Sequence, residues 1–130
     1  MAYLWIALGS ALGGMARYWC GGAVAARFGS DFPWGTLLIN ILGSFVIGFF
    51  ATLSGPEGRL VVGENSRLFV MVGLCGGYTT FSAFSLQTLD LIRAGNWPSA
   101  GGNIAASVIL CLVFVTLGHL AAMAINQARP

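Results

Sequence analysis

GYTTFSAFSLQTLD, residues 77–90, sits inside a long apolar run, yet it carries three threonines, two serines and two phenylalanines behind the pair Gly76-Gly77. Hydroxyls crowded where the surrounding residues exclude water have two uses: they bond one helix to another, or they line a polar path. No proline interrupts the run, so a break in its helix has to come from glycine, and Gly73-Leu74-Cys75-Gly76-Gly77 is where the sequence predicts one. A break at mid-span frees carbonyl oxygens able to hold a bare cation, and is tolerated only where protein buries it. Beyond it, Phe81 and Phe84 stand at i and i+3 and project from one side. The edge of a phenyl ring is positive and can face an anion. A packed core also uses phenylalanines at this spacing; Thr79, Thr80, Ser82 and Ser85 beside them tilt the reading toward a polar path.

The rest of the chain reads as membrane protein. Of its 130 residues 57% are hydrophobic and only 8% charged, where soluble domains carry about a quarter charged residues. Four stretches, 2–26, 32–54, 68–89 and 97–124, are each long enough to cross a hydrocarbon core, which takes roughly 20 helical residues. With no basic region at the N-terminus and no small-residue cleavage site, the first stretch is expected to be retained as a helix. Punctuation falls where helix ends should be. Ser30 or Asp31 can cap the second helix with Pro33 in its first turn, and Gly55-Pro56 stops it. Asn65 or Ser66 starts the third helix, and Asn96 with Pro98 the fourth. The expectation is an all-α membrane protein: one domain over 1–130, four transmembrane helices with a broken third, multi-pass in the plasma (inner) membrane and in contact with lipid.

Several function classes drop out. The six arginines are scattered singly at 17, 27, 59, 67, 93 and 129 with no lysine, so no basic stripe exists for nucleic acid. His119 is the only histidine, and no cysteine or carboxylate stands near it at metal-ligand spacing. Cys20, Cys75 and Cys111 lie on three different apolar segments and read as small packing residues. The four carboxylates, Asp31, Glu57, Glu64 and Asp90, fall in loops or at helix ends. No nucleophile, base and orienting acid can therefore be assembled, and the chain is not read as an enzyme.

Counting arginines by side, Arg59, Arg67 and Arg129 share one face with the middle loop and the C-terminus, against Arg27 and Arg93 on the other. Three against two is almost no orientation signal. Two oppositely inserted copies could then pair about a two-fold axis in the membrane plane. Four short helices cannot enclose a water-filled path and also cover it, which again points to an oligomer. In helix one, Gly9, Gly13, Arg17 and Gly21 recur every four positions, a face that should meet protein. Arg17 on that face either attracts anions in a vestibule or binds helix-end carbonyls. Asn40 and Ser44 in helix two, and Asn103 and Ser107 in helix four, are each one turn apart. Their amides and hydroxyls can donate to an anion, while no span supplies a carboxylate for a cation or proton relay.

The chain resembles the Fluc (CrcB) family of fluoride channels, on GGMARY (13–18), GTLLINILGSFVIG (35–48), GLCGGYTTFSAF (73–84) and an Asn-x-x-x-Ser in helix four. The likeness covers all four helices in order. It implies an antiparallel, dual-topology homodimer with two pores, passive fluoride export, and a structural sodium ion at the dimer centre. Carried onto this chain, it implies sodium ligands at the carbonyls of Gly76 and Thr79, pore phenylalanines Phe81 and Phe84, and Asn40 as the helix-two donor. Ser82, Asn103 and Ser107 would be further polar lining. Many relatives read TTFSTF where this chain has Ala83, so a hydroxyl track along helix three would lose one rung. Two other readings remain: a small multidrug-type exporter, which should carry a membrane-embedded glutamate absent here, and a packing subunit of a larger membrane complex.

Overall fold

The computed structural model describes residues 1–128, and among them all regular structure is helical. Helix α1 (Ala2–Phe28) ends at Gly29, whose φ of 84° lies in the left-handed region that glycine occupies freely. Helix α2 (Trp34–Leu53) follows. A third rod runs over Glu64–Arg93 in four pieces: α3 (Glu64–Arg67), a wide π-helical segment (Leu68–Cys75), α4 (Gly76–Tyr78) and α5 (Phe81–Arg93). Helix α6 (Trp97–Gln127) closes the chain. Trp34–Leu53, Glu64–Arg93 and Trp97–Gln127 are long and apolar enough to cross a membrane, which makes this an integral membrane protein. With 27 residues α1 is long enough as well, but it is diluted by glycine and interrupted by Arg17.

Helix ends follow the sequence only in part. Asn96 caps α6, its Oδ1 accepting from the Ser99 N–H at 3.4 Å with Pro98 in the first turn. Pro33, not Ser30 or Asp31, is the N-cap of α2, without a side-chain bond. The third rod starts at Glu64 behind Gly63, one residue ahead of Asn65.

The break in the third rod is real but displaced from the glycines. Thr79 (φ −86°, ψ 158°) and Thr80 (φ −154°, ψ 115°) are extended, whereas Gly73, Gly76 and Gly77 stay helical. The physical reason is that two of these glycines are used for close approach. A Cβ added at Gly73 would lie 2.9 Å from Gly9 Cα and 2.9 Å from the Ile6 carbonyl oxygen; one at Gly77 would lie 2.6 Å from the Ser10 carbonyl oxygen. Gly9 and Gly13 of α1 face this same seam, so that part of the glycine face meets the first half of the third rod, while Gly21 lies against Gly35 and Ile39 of α2. Arg17, further along α1, lies beyond the seam in an open cleft.

Helix α2 packs chiefly on α6, where Gly118 meets Phe45 and Phe49 backbone and Ala122 is fully buried. The middle loop is tied to the C-terminal end of α6: the Arg59 N–H donates to Asn126 Oδ1 at 2.9 Å and its guanidinium to the Ala128 carbonyl. Arg67 donates to the Ser54 carbonyl at 2.6 Å and to Ser54 Oγ at 2.7 Å, closing the end of α2. Arg129, counted above on this face, lies outside the described residues. By contrast α5 touches, among the described residues, only α2 and α6, and sparsely, leaving Phe81, Ser82, Ser85, Leu86 and Leu89 uncovered.

Candidate functional site

The site grows from one amide. Asn40, midway along α2, is placed opposite the extended Thr80. Its Oδ1 accepts from the Thr80 N–H at 2.8 Å, and its Nδ2 donates to the Thr80 carbonyl at 3.0 Å. A side-chain amide thus imitates the neighbouring strand that an extended residue would otherwise need. That is the physical cause of the break, since polar side chains compete with the helical ladder for backbone partners. The Thr80 hydroxyl accepts from the Ala83 N–H at 3.0 Å, capping α5, and lies 3.3 Å from Ser82 Oγ. The Thr79 hydroxyl turns back to the Cys75 carbonyl at 2.9 Å.

Past the break, Phe81 and Phe84 lie with ring centroids 5.3 Å apart and planes tilted by 51°. They are not equivalent: Phe81 is 78% exposed and Phe84 only 9%. Phe84 is anchored from behind by a buried chain of polar groups. Ser107 Oγ donates to Asn103 Oδ1 at 3.5 Å, Asn103 Nδ2 to Thr88 Oγ1 at 2.9 Å, and Thr88 Oγ1 to the Phe84 carbonyl at 2.8 Å. Asn103 is 2% exposed, so it works as a clasp between α5 and α6.

Two clefts meet at Thr80. One, about 450 Å³, opens on the side of the molecule and is lined by Asn40, Ser44, Thr79, Phe81, Phe84 and Ser107, with Gly76 at its wall. The other, about 890 Å³, lies among α1, α2 and α5 and includes Arg17, Asp31, Gln87 and Asp90. The structure therefore gathers Asn40, Gly76, Thr79, Phe81, Phe84 and Ser107 around one cleft. It sets Asn103 behind that cleft and leaves Ser82 at its margin beside Thr80. Arg17 lines the other cleft. Sequence reasoning missed Thr88, which bridges Asn103 to the phenylalanine backbone, and Gln87, whose buried Oε1 has no partner among the described residues. The i, i+4 step from Phe84 to Thr88 was legible; that Asn103 would meet it was not.

Residues 4–119 match the family described as CrcB-like protein, Camphor Resistance (CrcB). The chain belongs to the CrcB family. It is 65% identical to a protein of Methylocella silvestris named "Fluoride-specific ion channel FluC", over 99% of this chain and 98% of the relative. Relatives of the same name from Opitutus terrae and Rhodospirillum rubrum are 58% and 55% identical, each over 98% of this chain and over 96% and 98% of their own lengths. This CrcB chain and those three relatives thus align over nearly their whole lengths.

Proposed function

We propose that this protein is a fluoride-specific ion channel: four long helices cross the inner membrane, two copies pair antiparallel, and two pores carry fluoride passively out of the cytoplasm. The observation that carries the reading is identity of 55–65% over 98–99% of this chain to three proteins named as fluoride-specific channels. The exposed phenylalanine beside a hydroxyl-lined cleft supplies a physical route. Fluoride is small and strongly hydrated, so a path must return hydrogen bonds for the water it strips away. Ser82 and the second Nδ2 proton of Asn40 are donors along that path, Ser107 adds polar lining with its own O–H turned to Asn103, and the ring edges of Phe81 and Phe84 bridge between them.

A second copy is supported by what the single chain leaves open. Non-helical backbone at Thr79-Thr80 borders a lateral cleft, and lipid does not tolerate irregular backbone at that depth. A second copy laid on the uncovered face of α5, which carries Phe81, Leu86 and Leu89 beside Ser82 and Ser85, would cover it. A structural sodium ion fits the donor set: the carbonyls of Gly76 and Thr79 are neutral, hard oxygens at a helix break, the kind of group that coordinates sodium in membrane proteins. Bound there, the ion would cross-link backbone and need not move. The exporter reading is not favoured, because no glutamate lies in a long apolar helix away from its ends.

Purified protein in proteoliposomes should release fluoride rapidly and chloride hardly at all, followed by ion-selective electrodes on matched vesicles. Equal release of both anions, or none of either, would sink the channel reading.

A further inference from the structure

We propose that Asn40 and the Thr80 hydroxyl are positioning groups for a monovalent-cation site, because between them they remove the two backbone donors that an unbroken helix would give to the carbonyls of Gly76 and Thr79. The inference rests on the sodium reading above and deepens it. In an α-helix each N–H donates to the carbonyl four residues earlier. The donor for Gly76 is therefore the Thr80 N–H, and the donor for Thr79 is the Ala83 N–H. In this chain the Thr80 N–H goes to Asn40 Oδ1 at 2.8 Å, and the Ala83 N–H goes to Thr80 Oγ1 at 3.0 Å.

The flanking carbonyls are treated in the opposite way. Cys75 receives both the Thr79 N–H at 3.0 Å and the Thr79 hydroxyl at 2.9 Å. Thr80 receives Asn40 Nδ2 at 3.0 Å. Side chains thus satisfy the oxygens on either side of the Gly76–Thr79 window and draw donors away from its two ends. Gly76 is exposed and Thr79 half-buried in the single chain; once lipid or a second copy covers the break, a carbonyl left without a donor is costly, so a chain that arranges this with two side chains gains if a cation supplies the missing partner. The first half of the third rod also ends here, and the negative end of its dipole adds to the pull on a positive ion. Asparagine suits the task because one amide offers an acceptor and a donor to the same peptide unit without bringing charge.

The test is a sodium titration of thermal unfolding for the full-length protein in detergent, with N-methylglucamine chloride holding ionic strength constant. Wild type should be stabilised by sodium with a defined midpoint. Asn40→Ala and Thr80→Val should each raise that midpoint at least tenfold, while Thr80→Ser, which keeps the hydroxyl, should stay within about threefold of wild type. A purely structural role lowers stability by the same amount with and without sodium and leaves the midpoint in place; that result overturns the proposal while the sodium reading stands. If wild type itself shows no sodium-specific stabilisation, the sodium reading fails and the proposal falls with it. Should Asn40→Ala not fold, the contrast between Thr80→Val and Thr80→Ser decides alone.

Discussion

Alanine at Gly73 should separate α1 from the third rod, and the size of the effect follows from the seam's geometry. The added methyl carbon would stand 2.9 Å from both Gly9 Cα and the Ile6 carbonyl oxygen, where ordinary contact begins near 3.4 Å. Both neighbours are backbone atoms and cannot rotate aside, so the two rods must part by roughly half an ångström. Overpacking of this kind costs about 1–3 kcal/mol, while the better helix propensity of alanine returns about 0.5–1 kcal/mol. The expected net loss is about 0–2.5 kcal/mol, toward the upper end because both clashing atoms are backbone, read from the midpoint of SDS-induced unfolding in mixed micelles. Gly101→Ala is the control: nothing lies within 4 Å of the new methyl, so that variant should be neutral or slightly more stable. Because the seam holds Gly76 and Thr79 through their chain neighbours, fluoride flux should fall with Gly73→Ala and be unchanged by Gly101→Ala. Equal unfolding midpoints for the two variants would show that the seam is looser than its contacts imply.

Phe81→Ile or Phe84→Ile keeps apolar bulk but removes the ring quadrupole; vesicle flux should fall at least tenfold, about 1.4 kcal/mol of barrier, and wild-type flux in both would rule out ring-edge contact. Only Phe84→Ile should also lose stability, since Phe81 is 78% exposed and Phe84 is buried. Asn103→Ala cuts the clasp to Thr88 and should cost about 0.6–1.7 kcal/mol in the same SDS assay; a Thr88→Ala, Asn103→Ala double variant no worse than either single one would confirm that they act as a pair. Two or three lysines added within 58–63 should force one orientation and abolish flux, with activity restored by a partner biased the other way. Full activity from a population locked in one orientation would refute the antiparallel dimer.

The sequence alone determined the class and most of the parts. A chain 57% hydrophobic and 8% charged has to lie in a membrane, and the long apolar runs place the helices to within a few residues because length and hydropathy are local properties. The phenylalanine pair was legible from i, i+3 spacing, and the glycine face of α1 from its four-residue repeat. Which glycine does what was not legible. Sequence assigned the break to Gly73–Gly77 on conformational freedom, but two of those glycines lie against α1, and the break falls at Thr79-Thr80. Nothing near residue 80 reveals that, because the amide that extends Thr80 comes from Asn40, forty positions earlier. In the same way Asn103 reads as one more pore donor until α5 and α6 are brought together and its amide turns toward Thr88. A polar side chain in a membrane has to find a partner, and the chain's composition says how many such groups exist. Only the packing of one helix on another decides which of them are left free for an ion.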